Sequence, residues 1–218
     1  LDVRFSSGDL KPTTKVETST SVQDPWAEGE EHPWESPWRF VVMGDLNTIN
    51  SNTMAETLSP EAVIDTDWIE PGACAWTWLN GEGTSSFETY KKYVDLAAEM
   101  GWEYVLLDEG WQPKVNSGGY VYKGYFDWFD DLMEYADEKG VGVFVWANNA
   151  DLNTPEKQEV ISEWAAKGVK GVKPDFFNSH SQEQMKIYMQ LIQKTAENHI
   201  ILNIHGAPKA TGERRTYP

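Results

Sequence analysis

Apolar and polar positions change rhythm once along this chain, near residue 73. Residues 1–72 show no helical period, and 1–36 are polar, with Thr/Ser runs and a Pro-, Trp- and Glu-rich segment from Asp24 to Ser36. Trp38–Met43 (WRFVVM) predicts a strand stopped by Gly44-Asp45. Residues 46–72 read as a connector, with turn chemistry at Ser59-Pro60 and Pro71-Gly72. From residue 73 onward, apolar runs at 73–79, 104–109, 141–147, 170–176 and 200–205 predict strands. Helical spacing fills the gaps. Residues 86–100 put Phe87, Val94, Ala97 and Ala98 on one face, and 126–139 do the same with Phe126, Phe129, Leu132, Met133 and Ala136. Residues 155–167 carry Val160, Ile161 and Trp164 behind Thr154-Pro155 as N-cap and first helical residue, and 182–198 carry Met185, Tyr188, Ile192 and Ala196. Gly101, Gly140 and Gly168 stop three of these helices.

The unit of strand, loop, helix and glycine recurs about every 30 residues. Near-continuous apolar strands joined by helices imply an α/β fold with a parallel sheet covered by helices, either doubly wound or a (β/α)8 barrel. No Gly-x-Gly-x-x-Gly or phosphate loop follows a strand, which weighs against nucleotide binding. Polar residues gather instead at predicted strand C-termini: Asn80, Asp108, Glu109, Asn148, Asp175 and His205. Barrel enzymes keep their chemistry there. The reading is therefore residues 1–72 as the end of a β-domain plus linker, and 73–218 as the first five units of a partial (β/α)8 TIM barrel. Five strands would leave open sheet edges, so roughly three more units are expected beyond Pro218.

Composition narrows the partners. Thirty-five acidic against 18 basic residues give a net charge of −17, which argues against nucleic acid or an anionic membrane. No run of about 18 apolar residues offers a membrane span. Both ends read as cut, and no signal peptide is visible. The single cysteine, Cys74, excludes an intrachain disulfide. Eleven tryptophans suit core packing, and also stacking on the apolar faces of sugar rings.

Candidate chemistry lies at the strand ends. Lys173 and Asp175, two residues apart on one strand, share a face, so a cation is expected beside a carboxylate and would favour its charged form. An ordinary structural ion pair would look the same. Pro174 between them lacks a backbone donor and predicts an irregular strand end. Asp108 and Glu109 before Gly110-Trp111 would point to opposite sides, one toward a pocket; a solvated strand end is the plain alternative. His205 shares a face with Asn203, and Trp76 with Trp78; a hydrogen-bonded structural histidine and core filling are the competing explanations. Arg214-Arg215 form a short basic patch, for which a solvated loop suffices. No set of residues has zinc-site spacing and no Gly-x-Ser-x-Gly elbow occurs.

Several of these stretches resemble glycoside hydrolase family 97. They are Glu99-Met100-Gly101-Trp102-Glu103-Tyr104-Val105 leading to Asp108-Glu109-Gly110-Trp111, Val172-Lys173-Pro174-Asp175-Phe176-Phe177, Asn203-Ile204-His205-Gly206-Ala207, and Thr211 through Pro218. The connector segments Ser36-Pro37-Trp38-Arg39 and Trp68-Ile69-Glu70-Pro71-Gly72 are similar too. The resemblance implies calcium-dependent α-glucosidases or α-galactosidases, built from an N-terminal β-sandwich, a (β/α)8 barrel and a small C-terminal β-domain. Residues 1–72 would then be the end of the sandwich plus linker. In inverting members a Glu follows the strand-five His; here Gly206 stands there. In retaining members an Asp at the end of strand four is the nucleophile, and Asp175 matches it. The resemblance thus implies a retaining, exo-acting enzyme acting on terminal α-linked sugars, with its acid/base and most calcium ligands beyond Pro218. It implies Lys173, Asp108, Glu109, Trp111, His205 and Trp78 as substrate-binding residues, an oligosaccharide or α-glycoside as partner, and a periplasmic or extracellular location. Another retaining α-galactosidase family of similar barrel, or a non-catalytic sugar-binding barrel, are the alternatives.

Overall fold

Five short parallel strands follow one another around the sheet in strict chain order. They are β3 (Cys74–Trp76), β4 (Tyr104–Leu107), β5 (Gly142–Asn148), β6 (Gly171–Asp175) and β7 (Ile201–Leu202). A doubly wound sheet would reverse its strand order at a switch point. This one never does, which is how a barrel winds; β3 and β7 are its two edges and do not pair. The computed structural model describes residues 2–5, 12–15, 40–82, 86–115, 121–179 and 181–218.

Helices cover the outer face in the predicted segments, although Ala98, expected on the buried face of the first, is exposed and Tyr90 is buried instead. α3 (Phe87–Met100) buries Tyr90, Val94 and Ala97, and α4 (Phe129–Glu138) buries Phe129, Leu132 and Ala136. The segment predicted as one helix over 155–167 is two, α5 (Pro155–Gln158) and α6 (Val160–Ala166), interrupted at Glu159. Thr154 caps α5 by accepting from Lys157 N, and Ser181 caps α7 (Gln182–Glu197) by accepting from Gln184 N. Gly101, Gly140 and Gly168 adopt the left-handed backbone that ends a helix, with φ of 67°, 68° and 89°. The main core lies between sheet and helices.

The inner face of the sheet carries a second, smaller cluster of Tyr104, Leu106 and Phe144. Here large residues face glycines across the register. Tyr104 pairs with Gly142, and Phe144 with Gly171. A Cβ at Gly171 would come within 2.1 Å of the Phe144 ring, so the glycine is what admits the ring.

Pro174 does not disrupt β6, which pairs regularly with β5 through Asp175. Its cost falls on the other side. Asn203 N donates to Val172 O and His205 N to Pro174 O, but Pro174 has no N–H to donate in return. β7 is accordingly only two residues long.

Before the barrel, the described residues form an antiparallel hairpin of β1 (Asp2–Phe5) and β2 (Pro12–Lys15), then two short helices, α1 (Leu46–Asn50) and α2 (Met54–Leu58). The expected end of a β-sandwich falls largely on residues 1–39, most of which lie outside the described residues. The strand predicted over Trp38–Met43 is not formed at Phe40–Met43, and Trp38 and Arg39 lie outside the described residues. No described strand pairs with this stretch, so its apolar side chains stay in solvent, Val41 and Met43 at 83% and 85% exposure. The helices within the expected connector are held by the far end of the chain. From α8 (Glu213–Thr216), Arg215 Nη1 donates to Glu56 O and Thr57 O at 3.0 and 2.5 Å. Arg214 pairs with the Glu56 carboxylate, and Thr216 Oγ1 donates to Pro60 O. Arg214 and Arg215 thus form a clasp on the last turn of α2, where Glu56 O takes the Ser59 N–H as well, rather than a solvated loop.

Candidate active site

The C-terminal strand ends bring Trp76, Asp108, Trp146, Lys173, Asp175 and His205 into one polar group. Asp175 closes β6 and is 5% exposed. Its Oδ1 accepts from Phe176 N at 2.8 Å, and its Oδ2 accepts from Trp146 Nε1 at 3.3 Å. His205 Nδ1 stands 2.8 Å from Oδ2, within hydrogen-bonding distance. Both carboxylate oxygens are therefore held in place.

Asp108 is equally enclosed, at 2% exposure. Its Oδ2 accepts from Lys173 Nζ at 2.8 Å and from Trp76 Nε1 at 2.5 Å, and its Oδ1 accepts from Glu109 N. Lys173 Nζ is 4.0 Å from Asp175 Oδ2 and 4.6 Å from the centre of the Trp76 ring. Lys173 does share the face of Asp175, but its close partner is Asp108, which directly follows β4, two strands away in the sheet.

Gly206 shapes the other side of Asp175. Its φ is 54°, and a Cβ there would meet Asp175 Oδ1 at 2.5 Å and Phe176 N at 3.0 Å. Phe177 N donates to Gly206 O at 2.9 Å, fixing that approach. A carboxylate held as Asp175 is and any side chain at position 206 exclude each other.

Glu109 diverges from Asp108 as expected for adjacent residues. It accepts from Tyr122 OH at 2.5 Å. Tyr122 lies in the β4–α4 loop, its ring edge-on to Trp146 at 5.5 Å and its N–H 3.4 Å from Asp151 Oδ2. Burial raises the Asp151 carboxyl above the ordinary range, against the lowering effect of the Tyr122 N–H and of nearby Lys157.

Two expected residues stand apart from the group. Trp111 is fully buried, donates to Trp146 O at 2.7 Å, and packs against Phe129, Tyr125 and Trp164. With its faces covered it is a core residue, not a sugar platform. Trp78 does not share the face of Trp76, because the backbone turns at Thr77 and strand alternation ends there; Trp78 sits half-exposed on a short 3-10 turn. Sequence reading missed Trp146, Tyr122 and Phe176. Trp146 had a usable signal, since it is the register partner of Lys173 on the neighbouring strand. Tyr122 and Phe176 had none, because loop pairing and a left-handed backbone leave no periodic trace.

Among the described residues, no three His, Cys, Asp or Glu side chains come together as a metal site. The resemblance puts most ligands of the implied calcium ion in sequence other than these residues, and no proposed step passes through a metal. No described helix is long and apolar enough to cross a membrane.

Residues 68–218 match the family description Glycoside hydrolase 97. A probable retaining alpha-galactosidase of Streptomyces bingchenggensis is 39% identical over 192 residues, covering 84% of this chain and 30% of that protein. A retaining alpha-galactosidase of Bacteroides thetaiotaomicron is 32% identical over 201 residues, covering 86% and 30%. The chain therefore spans about 30% of the length of these curated relatives. In fold it is similar to a beta-arabinopyranosidase (TM-score 0.67, 24% identity, 78% of this chain and 28% of that one). It is also similar to a family 97 enzyme variant from Pseudoalteromonas (TM-score 0.68, 21% identity, 78% and 32%).

Proposed function

The chain belongs to the glycoside hydrolase 97 family, and from that premise we propose that the protein is a retaining, exo-acting α-glycosidase of the α-galactosidase type. One observation carries the reading. Asp175 is a buried, oriented carboxylate, and the position beside it is a glycine that leaves no room for a second catalytic carboxylate there. A lone, held carboxylate suits attack on a sugar carbon, whereas a base for water would need space for the water between it and the sugar.

In the proposed reaction, a carboxylate oxygen of Asp175 bonds to the anomeric carbon as the bond to the leaving oxygen breaks. That oxygen takes the electron pair and a proton from a carboxylic acid about 5–5.5 Å from Asp175, contributed by sequence after Pro218. The same group, now a carboxylate, then removes a proton from water, the water oxygen replaces Asp175 at the carbon, and Asp175 is released. Two inversions leave the configuration unchanged. Lys173, Asp108, Glu109 and His205 are proposed to bind sugar hydroxyls or hold the groups that do. The names of the two curated relatives support galactose over glucose as the terminal sugar.

The test is the complete protein with Asp175→Ala. Hydrolysis of an aryl α-galactoside should be lost, and added azide should restore turnover with a β-galactosyl azide as product. An NMR time course of the unsubstituted enzyme should show the α-anomer first. Normal activity in the variant, or the β-anomer first, defeats the reading.

A further inference from the structure

Phe176, next in chain to Asp175, has a backbone φ of 66° and a side chain left 48% exposed. A bulky residue in the left-handed region is an outlier that its surroundings must hold in place. The surroundings here are specific. Phe176 N donates to Asp175 Oδ1, Asn178 N donates back to Phe176 O at 2.9 Å, and Phe177 N is tied to Gly206 O. Phe177 itself is buried at 2% exposure and packs edge-on against Tyr188 of α7. The chain thus buries one phenyl ring as an anchor and turns the neighbouring ring outward.

That outward ring stands beside the reactive group. It lies edge-on to Trp146, centres 6.3 Å apart, and Trp146 donates to Asp175. A Cβ at Gly206 would meet the Phe176 backbone as well as Asp175 Oδ1, so glycine, carboxylate and Phe176 backbone pack closely at this strand end. The carboxylate and the exposed ring are thus neighbours in the chain and are both contacted by Trp146. Phe177 beside it is buried, whereas the Phe176 ring presents its apolar surface to solvent next to Asp175.

We propose that Phe176 is a substrate-binding platform, held in a strained backbone so that its ring receives the apolar C–H face of a pyranoside whose anomeric carbon lies over Asp175. The same backbone conformation aims Phe176 N at Asp175 Oδ1, so platform and nucleophile are set by one turn of the chain. The assignment rests on the function proposed above. It differs in what it requires: ring contact with the sugar, whatever the stereochemistry of the product.

The experiment uses the complete protein with Phe176→Leu, Phe176→Tyr and Phe176→Gly, titrated with D-galactose and D-glucose by calorimetry and assayed on p-nitrophenyl α-galactoside. Phe176→Leu should weaken binding of the preferred sugar and raise KM roughly tenfold, the range of one lost aromatic contact. Phe176→Tyr should stay within threefold of the parent. Phe176→Gly relaxes the backbone but lacks the ring, and should bind as poorly as Phe176→Leu. Unchanged affinity and KM in Phe176→Leu overturn the platform, as does a fall in Tm with affinity intact, which would place the ring under other polypeptide. Failure of the parent to bind either sugar also overturns it. A β-anomer as first product would instead defeat the retaining mechanism while leaving the Phe176 effect standing.

Discussion

Replacing Gly206 by alanine tests the geometry around Asp175 most directly. The new Cβ would lie 2.5 Å from Asp175 Oδ1, and relief to an ordinary contact of 3.4 Å needs about 0.9 Å of movement. A free carboxylate would swing away. This one is tied by Phe176 N at 2.8 Å, Trp146 Nε1 at 3.3 Å and His205 Nδ1 at 2.8 Å, so moving it breaks at least one of these bonds. Displacing a reacting group by about 1 Å costs on the order of 100-fold in rate. The left-handed backbone adds a separate cost of about 1–2 kcal/mol in stability for alanine. Asparagine tolerates that backbone better, which separates the two effects. In the complete protein, kcat on an aryl α-galactoside should fall about 100-fold in both Gly206→Ala and Gly206→Asn. Unfolding by urea should show the larger stability loss in the alanine variant. If both variants keep kcat within twofold of the parent, Asp175 is not a constrained nucleophile.

Three further outcomes are expected. Lys173→Met leaves Asp108 charged and buried without its cation, and should cost about 3–5 kcal/mol in urea unfolding, with part recovered by adding Asp108→Asn. Arg215→Ala removes two bonds to the last carbonyls of α2; limited proteolysis should then cut first between residues 45 and 60, with a stability loss of about 1 kcal/mol. Asp151 has a folded-state pKa raised above its ordinary 3.8, so the native fold binds its proton more tightly than the unfolded chain. Its effect is absent below pH 3.8 and becomes destabilising as pH rises through the raised value; Asp151→Asn should therefore raise Tm at pH 7 and leave it unchanged near pH 3.

Sequence and structure agree where a local signal is tied to a repeating physical demand. Each helix must bury one stripe, and Tyr90, Val94 and Ala97 or Phe129, Leu132 and Ala136 repeat at the spacing that does so. Gly101, Gly140 and Gly168 mark helix ends because few other residues take that backbone. The apolar runs located the five strands, and with them Asp108, Asp175 and His205 near their ends, although β3 and β7 stop three residues before the predicted 79 and 205. What was not legible depends on partners distant in sequence. WRFVVM has strand composition, yet at Phe40–Met43 no described strand meets it. Trp111 follows two acidic residues and a glycine as a site residue might, but its position is fixed by Phe129, Tyr125 and Trp164, which come from later elements. Pro174 was expected to disturb its own strand. Its missing donor is felt by β7 instead, because residue 174 turns its polar groups toward that neighbour.

Lys173 is shared unequally, and the inequality bears on mechanism. Two residues from Asp175 in sequence, it stands at 4.0 Å from that carboxylate but at 2.8 Å from Asp108. Coulomb attraction grows as distance shrinks, and the shorter contact is also a hydrogen bond, so Lys173 and Asp108 form one nearly neutral buried unit. The Trp76 N–H completes it. Asp175 is left with a backbone N–H, an indole N–H and an imidazole at hydrogen-bonding distance. A nucleophilic carboxylate needs orientation, yet a close salt bridge would draw its charge away from the sugar carbon. Orientation by weaker donors, with the full cation one step removed, meets both needs. On this view Lys173→Arg is not conservative. A planar guanidinium reaches further and can bridge both carboxylates, and it should lower kcat while leaving the fold intact. Thermal unfolding close to that of the parent together with unchanged kcat would mean that the division between the two carboxylates has no catalytic consequence.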